Sequence, residues 1–98
     1  MPSTQSYISF VEEQLLFVPH LRIKKMFGEY AIYKDKLFFG IIANDQLFLK
    51  RNDYLVKTVG DDGVRAYDGS KNTIRIPAEM LDDKPNFEEM VLTYLSKF

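Results

Sequence analysis

The chain has 98 residues, of which 46% are hydrophobic, with six Tyr, eight Phe and no Cys. This length suffices for one domain, residues 1–98, burying roughly 65% of its unfolded surface without staples. The absence of cysteine excludes disulfides, thiolate metal sites and thiol nucleophiles, and a net charge of −1 argues against a dedicated nucleic-acid-binding domain, which carries a basic excess.

No apolar run approaches the ~18 residues of a membrane span. The segment from Met1 to Ser6 has neither the basic nor the apolar part of a signal peptide, so a cytoplasmic protein is expected.

In chain order, Ile8, Val11, Leu15 and Val18 recur at helical spacing, with Tyr7, Phe10 and Phe17 widening the stripe. The pattern predicts a helix from Ser3 to Val18, capped by Ser3 and ended by Pro19, with Glu12 and Glu13 facing water. From Arg22 to Lys50 the period becomes two. Arg22 to Phe27 forms one strand, and Tyr30 to Tyr33 is its continuation or its partner, with Gly28 as a bulge or bend between them. Lys34-Asp35-Lys36 closes one hairpin and Asn44-Asp45 a second, in type I′ form. On the intervening strand, alternation places Leu37, Phe39 and Ile41 on one face and Phe38, Gly40 and Ile42 on the other. Both faces are then apolar, which requires cover on each.

Beyond Arg51, Asn52 caps a short helix through Tyr54, Leu55 and Val59, which Gly60 terminates. Val64 to Tyr67 and Thr73 to Ile76 read as strands, the second stopped by Pro77. Pro85 opens a terminal helix whose face carries Phe87, Met90, Val91, Tyr94, Leu95 and Phe98. The expected fold class is α+β, a mainly antiparallel sheet of about five strands flanked by an N-terminal and a C-terminal helix.

Charge is unevenly spread. Residues 22–51 hold seven Lys/Arg against three acids, a net of +4, and residues 52–98 hold six against nine, a net of −3. Most of this belongs to solvated faces, but a basic sheet edge beside acidic helices also steers partners.

The catalytic constellations fail in turn. His20 is the only histidine, so a triad would have to run through it, and no Gly-x-Ser-x-Gly elbow accompanies it; a zinc site would need several His or Cys ligands where the chain offers one. Asp61-Asp62 and Asp82-Asp83 are sequence neighbours that point different ways, and Asp61-Asp62 is flanked by turn-forming glycines. The five glycines fit neither the Walker A nor the dinucleotide spacing. No enzyme activity, cofactor or metal is expected. Aromatic and basic residues interleave at Lys24-Lys25-Met26-Phe27, Tyr33-Lys34 and Phe48-Leu49-Lys50-Arg51. Single-strand stacking platforms have this composition, and so do strands that fill a core with aromatics and guard an edge with lysines. Without a basic excess the second reading is preferred, and weak or no DNA binding by the isolated chain is expected.

The order Met26-Phe27-Gly28, a strand ending at Tyr33, the apolar strand Leu37 to Ile42 and the strand Leu47-Phe48-Leu49-Lys50 resembles the N-terminal domain of the TfoX/Sxy family, regulators of bacterial DNA uptake. Thr73-Ile74-Arg75-Ile76-Pro77 followed by Met80-Leu81-Asp82-Asp83 is similar to that family's closing strand-Pro-helix segment. The resemblance implies a fold like that of small secretion-chaperone domains. It also implies a non-enzymatic, protein-interaction role in transcriptional regulation of competence, with the cyclic-AMP receptor protein or the RNA polymerase machinery as partner. The rival reading is a dimeric chaperone-like binding module with no transcriptional role. Met26, Phe27, Gly28, Tyr30, Tyr33, Phe38, Phe48 and Lys50 are the candidate motif residues, and self-association or partner binding is expected through the sheet.

Overall fold

A computed structural model describes residues 4–26, 29–64 and 72–98. The elements are α1 (Gln5–Gln14), β1 (Leu21–Met26), β2 (Glu29–Lys34), β3 (Leu37–Ala43), β4 (Gln46–Lys50), α2 (Asp53–Thr58), β5 (Thr73–Ile76), α3 (Ala78–Asp82) and α4 (Lys84–Leu95). The five strands form an antiparallel sheet in the order β1-β2-β3-β4-β5. This is the α+β architecture expected from the change in hydrophobic period.

The first helix starts one residue later than the pattern suggested. Thr4 is its cap, the hydroxyl accepting the Tyr7 N–H at 3.2 Å. Ser3 lies outside the described residues. The helix stops at Gln14 with Leu15 as C-cap, so Pro19 follows a turn rather than ending the helix itself. Thr4 also donates its backbone N–H to Asp45 Oδ1 at 2.7 Å, which ties the start of α1 to the β3–β4 turn. In that turn Asn44 and Asp45 have φ of 52° and 56°, the left-handed values that a type I′ hairpin requires.

Tyr30 to Tyr33 is the antiparallel partner of β1, not its continuation, with Ile23 opposite Ile32. Strand β3 departs from simple alternation. Its register against β2 passes from Ile32–Gly40 to Tyr33–Phe38, leaving Phe39 as the extra residue of a bulge. A bulge shifts the side-chain parity by one. Phe39 and Ile42 therefore both join the main core, while Ile41 turns to the opposite face with Phe38. The expected grouping of Leu37, Phe39 and Ile41 on one face is thus corrected at Ile41.

The main core is built between one sheet face and the helices. Ile8, Val11 and Leu15 from the first helical segment, Leu55 from α2, Leu81 from α3 and Phe87, Met90, Val91 and Tyr94 from α4 pack on Ile32, Phe39, Ile42, Leu47, Leu49, Ile74 and Ile76. Each large apolar side chain fully buried in this layer contributes about 1.5–3 kcal/mol. Gln14 is the buried polar member on α1, and its Nε2 donates to the Leu81 carbonyl at 2.5 Å, clipping α1 to α3.

Asn52 caps α2 as expected, its Oδ1 accepting the Leu55 N–H at 2.8 Å. Beyond it Gly60 has φ +88°, and its N–H donates to the Leu55 carbonyl at 3.3 Å, a C-terminal stop that needs the left-handed region. Val64 is outside any strand, and the rest of the strand expected to Tyr67 lies outside the described residues. Pro85 sits in the first turn of α4. Phe98 falls beyond the end of that helix and packs edge-on against Tyr94, with ring centroids 5.1 Å apart.

Candidate interaction surface

The helices leave the second face of the sheet to strand residues. Period two sends Leu21 and Ile23 of β1 to the helix layer and Arg22, Lys24 and Met26 to the opposite side. Their cross-strand partners on that side are Tyr33, Ala31 and Glu29. Next along the face come Phe38 and, past the bulge, Ile41 and Ala43, with Phe48 beside them on β4. Among the described residues this second apolar cluster contains strand residues alone.

The face is graded. Over β3 and β4 it is closed, with Ile41 8% and Phe48 1% exposed. Arg75, the cross-strand neighbour of Phe48, receives Asp62 there. Arg75 Nη2 lies 2.7 Å and Nε 2.8 Å from Asp62 Oδ2, which brings the segment after α2 to this side. The Asp62 carboxyl is held below its ordinary pKa by the Val64 N–H, 3.0 Å from Oδ1, and by Arg75. A second ion pair, Arg51 with Asp61, fastens the same segment to the end of β4. Over β1 and β2 the face opens. Met26 is 40% exposed, Arg22 and Lys24 are exposed, and Tyr33 and Phe38 are half-buried. These two rings meet in an edge contact, with centroids 5.7 Å apart and an interplanar angle of 61°.

Of the eight motif residues, the structure brings Met26, Tyr33, Phe38 and Phe48 to this face. Phe48 serves there as its buried floor. Tyr30 turns to the helix layer and packs against the main core. Lys50 ends β4, and its Nζ lies 5.9 Å from the centroid of Phe98 beside α4, away from Met26. Phe27 and Gly28 lie outside the described residues. The exposed cations Arg22 and Lys24 complete the open part of the face. Their strand parity alone would have placed them there, since they alternate with Leu21 and Ile23.

A second concavity was not legible in the sequence. A cleft of about 560 Å³ opens between α1, α3 and the ends of β4 and β5, lined by Tyr7, Phe10, Asp45, Arg75, Ile76 and Leu81 among others. Burial, reinforced by Asp45, pushes the Tyr7 hydroxyl up to about 12. Two of its polar side chains are engaged, Asp45 by Thr4 and Arg75 by Asp62. Among the described residues no group of three or more His, Cys, Asp or Glu is placed to hold a metal. Among those residues, too, no helix is long and apolar enough to cross a membrane.

What the open face can do chemically is bind. It offers half-buried aromatics, a flexible thioether and two cations at one border of the sheet, the mixture found at protein contact surfaces.

The chain is 26% identical over 92 residues to an uncharacterised 12.7 kDa protein of the trpE 5′ region of Spirochaeta aurantia, an alignment covering 93% of this chain and 79% of that protein. Residues 13–94, from the end of α1 to the buried Tyr94, match the TfoX N-terminal domain, and the chain belongs to that family.

Proposed function

We propose that this protein is a competence-related regulatory domain that acts by binding another protein, in the cytoplasm and without catalysis, to influence transcription of DNA-uptake genes. Family membership supports the regulatory role. The observation that carries the binding mode is the grading of the sheet face opposite the described helices, closed at Phe48 and open at Arg22, Lys24, Met26 and Tyr33. An apolar patch rimmed by charge is the usual form of a protein contact site. The partner on this reading belongs to the transcription machinery, with the cyclic-AMP receptor protein or RNA polymerase as the proteins to test.

The experiment is complementation of a deletion strain. The intact protein restores transcripts of DNA-uptake genes, and the double variant Arg22→Glu, Lys24→Glu, which keeps the fold because both side chains are exposed, does not. Leu92, an exposed residue of α4 on the helix side, provides the control through Leu92→Ser. Equal transcripts in the deletion strain and in the complemented strain would contradict the regulatory role. A transcript effect unmoved by the double variant would contradict the site.

A further inference from the structure

The outer edge of β1 has features that the face alone does not explain. The His20 carbonyl accepts the Asp35 N–H at 3.1 Å, so His20 and Asp35 are a hydrogen-bonded pair. Such pairs alternate along an antiparallel ladder. Arg22, Lys24 and Met26 then direct their backbone groups to β2, and Leu21, Ile23 and Lys25 direct theirs outward. No strand among the described residues pairs with that edge.

Edge strands are commonly protected by proline, a bulge, short length or charge. Strand β1 has six residues, no proline and an unbroken register against β2, so among the described residues charge is the device of these that is present. Arg22, Lys24 and Lys25 are exposed, and the strand carries no acid. Like charges placed directly opposite one another destabilise a strand pair. A second copy of β1 would set cations against cations, whereas an acidic strand would meet opposite charges at the same positions.

We infer that the outer edge of β1 receives an extended acidic segment of the partner protein as an added strand. Backbone groups of Leu21, Ile23 and Lys25 supply the ladder, and Arg22, Lys24 and Lys25 select the acidic sequence. This is recognition by strand addition, in which main-chain bonds give affinity and alternate side chains give specificity. The inference rests on the partner-binding reading above and specifies its geometry.

The test is amide hydrogen exchange of the full chain, followed by NMR, with two blocked synthetic octapeptides as probes, one alternating Glu and Val and one alternating Lys and Val. The acidic peptide is expected to slow exchange at Leu21, Ile23 and Lys25 by about tenfold or more, a protection that only newly paired amides acquire. The lysine peptide leaves the three amides unchanged. Lys25→Pro, which removes an outward N–H and leaves the ladder with β2 intact, abolishes the protection, and Lys25→Gln retains most of it. Should the proline variant fail to fold, the exchange measurement on the unaltered chain decides alone. Unchanged exchange with the acidic peptide would overturn the inference. So would protection that grows with protein concentration in the absence of peptide, because the occupant would then be a second copy. In the first case, loss of transcription in the Arg22→Glu, Lys24→Glu variant would still stand for the partner-binding reading, so the two failures are distinguishable.

Discussion

The hydroxyl of Tyr94 donates to the carbonyl oxygen of Lys50 at 2.6 Å. This joins the last helix to the end of β4 across 44 residues of sequence. The phenol ring is fully buried against Phe39, with centroids 6.5 Å apart, and the Phe39 carbonyl lies 3.4 Å from the same hydroxyl. Tyr94→Phe keeps the ring and removes the donor, leaving the Lys50 carbonyl without this partner. The expected cost is about 1–3 kcal/mol, the range for a hydrogen bond lost with one partner left unpaired, toward its lower end because the Lys50 carbonyl is only partly buried. Urea denaturation reads it as a lower midpoint at constant slope, and an unchanged midpoint would show that the contact contributes nothing.

The same burial sets an alkaline limit on stability. Burial raises the Tyr94 hydroxyl well above its ordinary value, and Tyr7 is pushed up to about 12. A group with a raised folded pKa contributes its full stability below the unfolded value and loses it as pH rises through the folded one. Stability linked to Tyr7 is therefore constant up to about pH 10, the unperturbed value of tyrosine, and declines between there and about 12. Tyrosinate absorbance and circular dichroism recorded together check this. Ionisation of Tyr7 with its unperturbed value in the intact fold would contradict the packing of α1.

Gly40 is placed where a side chain has no room. A Cβ added there would lie 3.1 Å from the Phe48 carbonyl oxygen, 3.2 Å from Leu49 Cδ2 and 3.3 Å from Ile32 Cδ1. Gly40→Val must push β3 from β4 beside the bulge, and a cost of about 1–3 kcal/mol is expected for such overpacking. Gly40→Ala costs less, because only small shifts are needed. Thermal unfolding of the two variants gives the order, and a valine variant as stable as the original would mean the bulge absorbs the methyl groups freely.

Direct DNA binding by the isolated protein is expected to be weak. The cations of β1 stand within a chain of net charge −1, and affinity from counterion release scales with the phosphates neutralised. Gel shifts at physiological salt should show no discrete complex below ~1 µM, a range that specific DNA binders reach easily. A tight, sequence-dependent complex would contradict the protein-binding account.

The sheet was legible because its signals are local. Alternation from Arg22, which placed the first strand within a residue of its start at Leu21, the Asn44-Asp45 turn and Pro77 after Ile76 each mark an element from within a few residues. The terminal helix was legible for the same reason, with Pro85 opening it and its apolar positions at helical spacing. The Phe39 bulge was not, because the parity of β3 changes only when its register against β2 is known. The split of the motif residues was legible only in part: Tyr30 and Tyr33 are three positions apart on one strand and face opposite ways by parity alone. Lys50 parts from Met26 through Phe98, a contact made only once α4 has docked. The cleft beside Tyr7 depends on four separate elements and has no counterpart in any one stretch of sequence.

The central claim is that the partner meets the open sheet face at β1 and β2 rather than the helix layer. Site-specific photo-crosslinking in living cells tests it most directly, with the photoreactive residue placed at Lys24 in one strain and at Leu92 in another. The account predicts a discrete adduct with one component of the transcription machinery from position 24, abolished by Arg22→Glu, and none from position 92. An adduct formed at position 92 and absent at position 24 would contradict it.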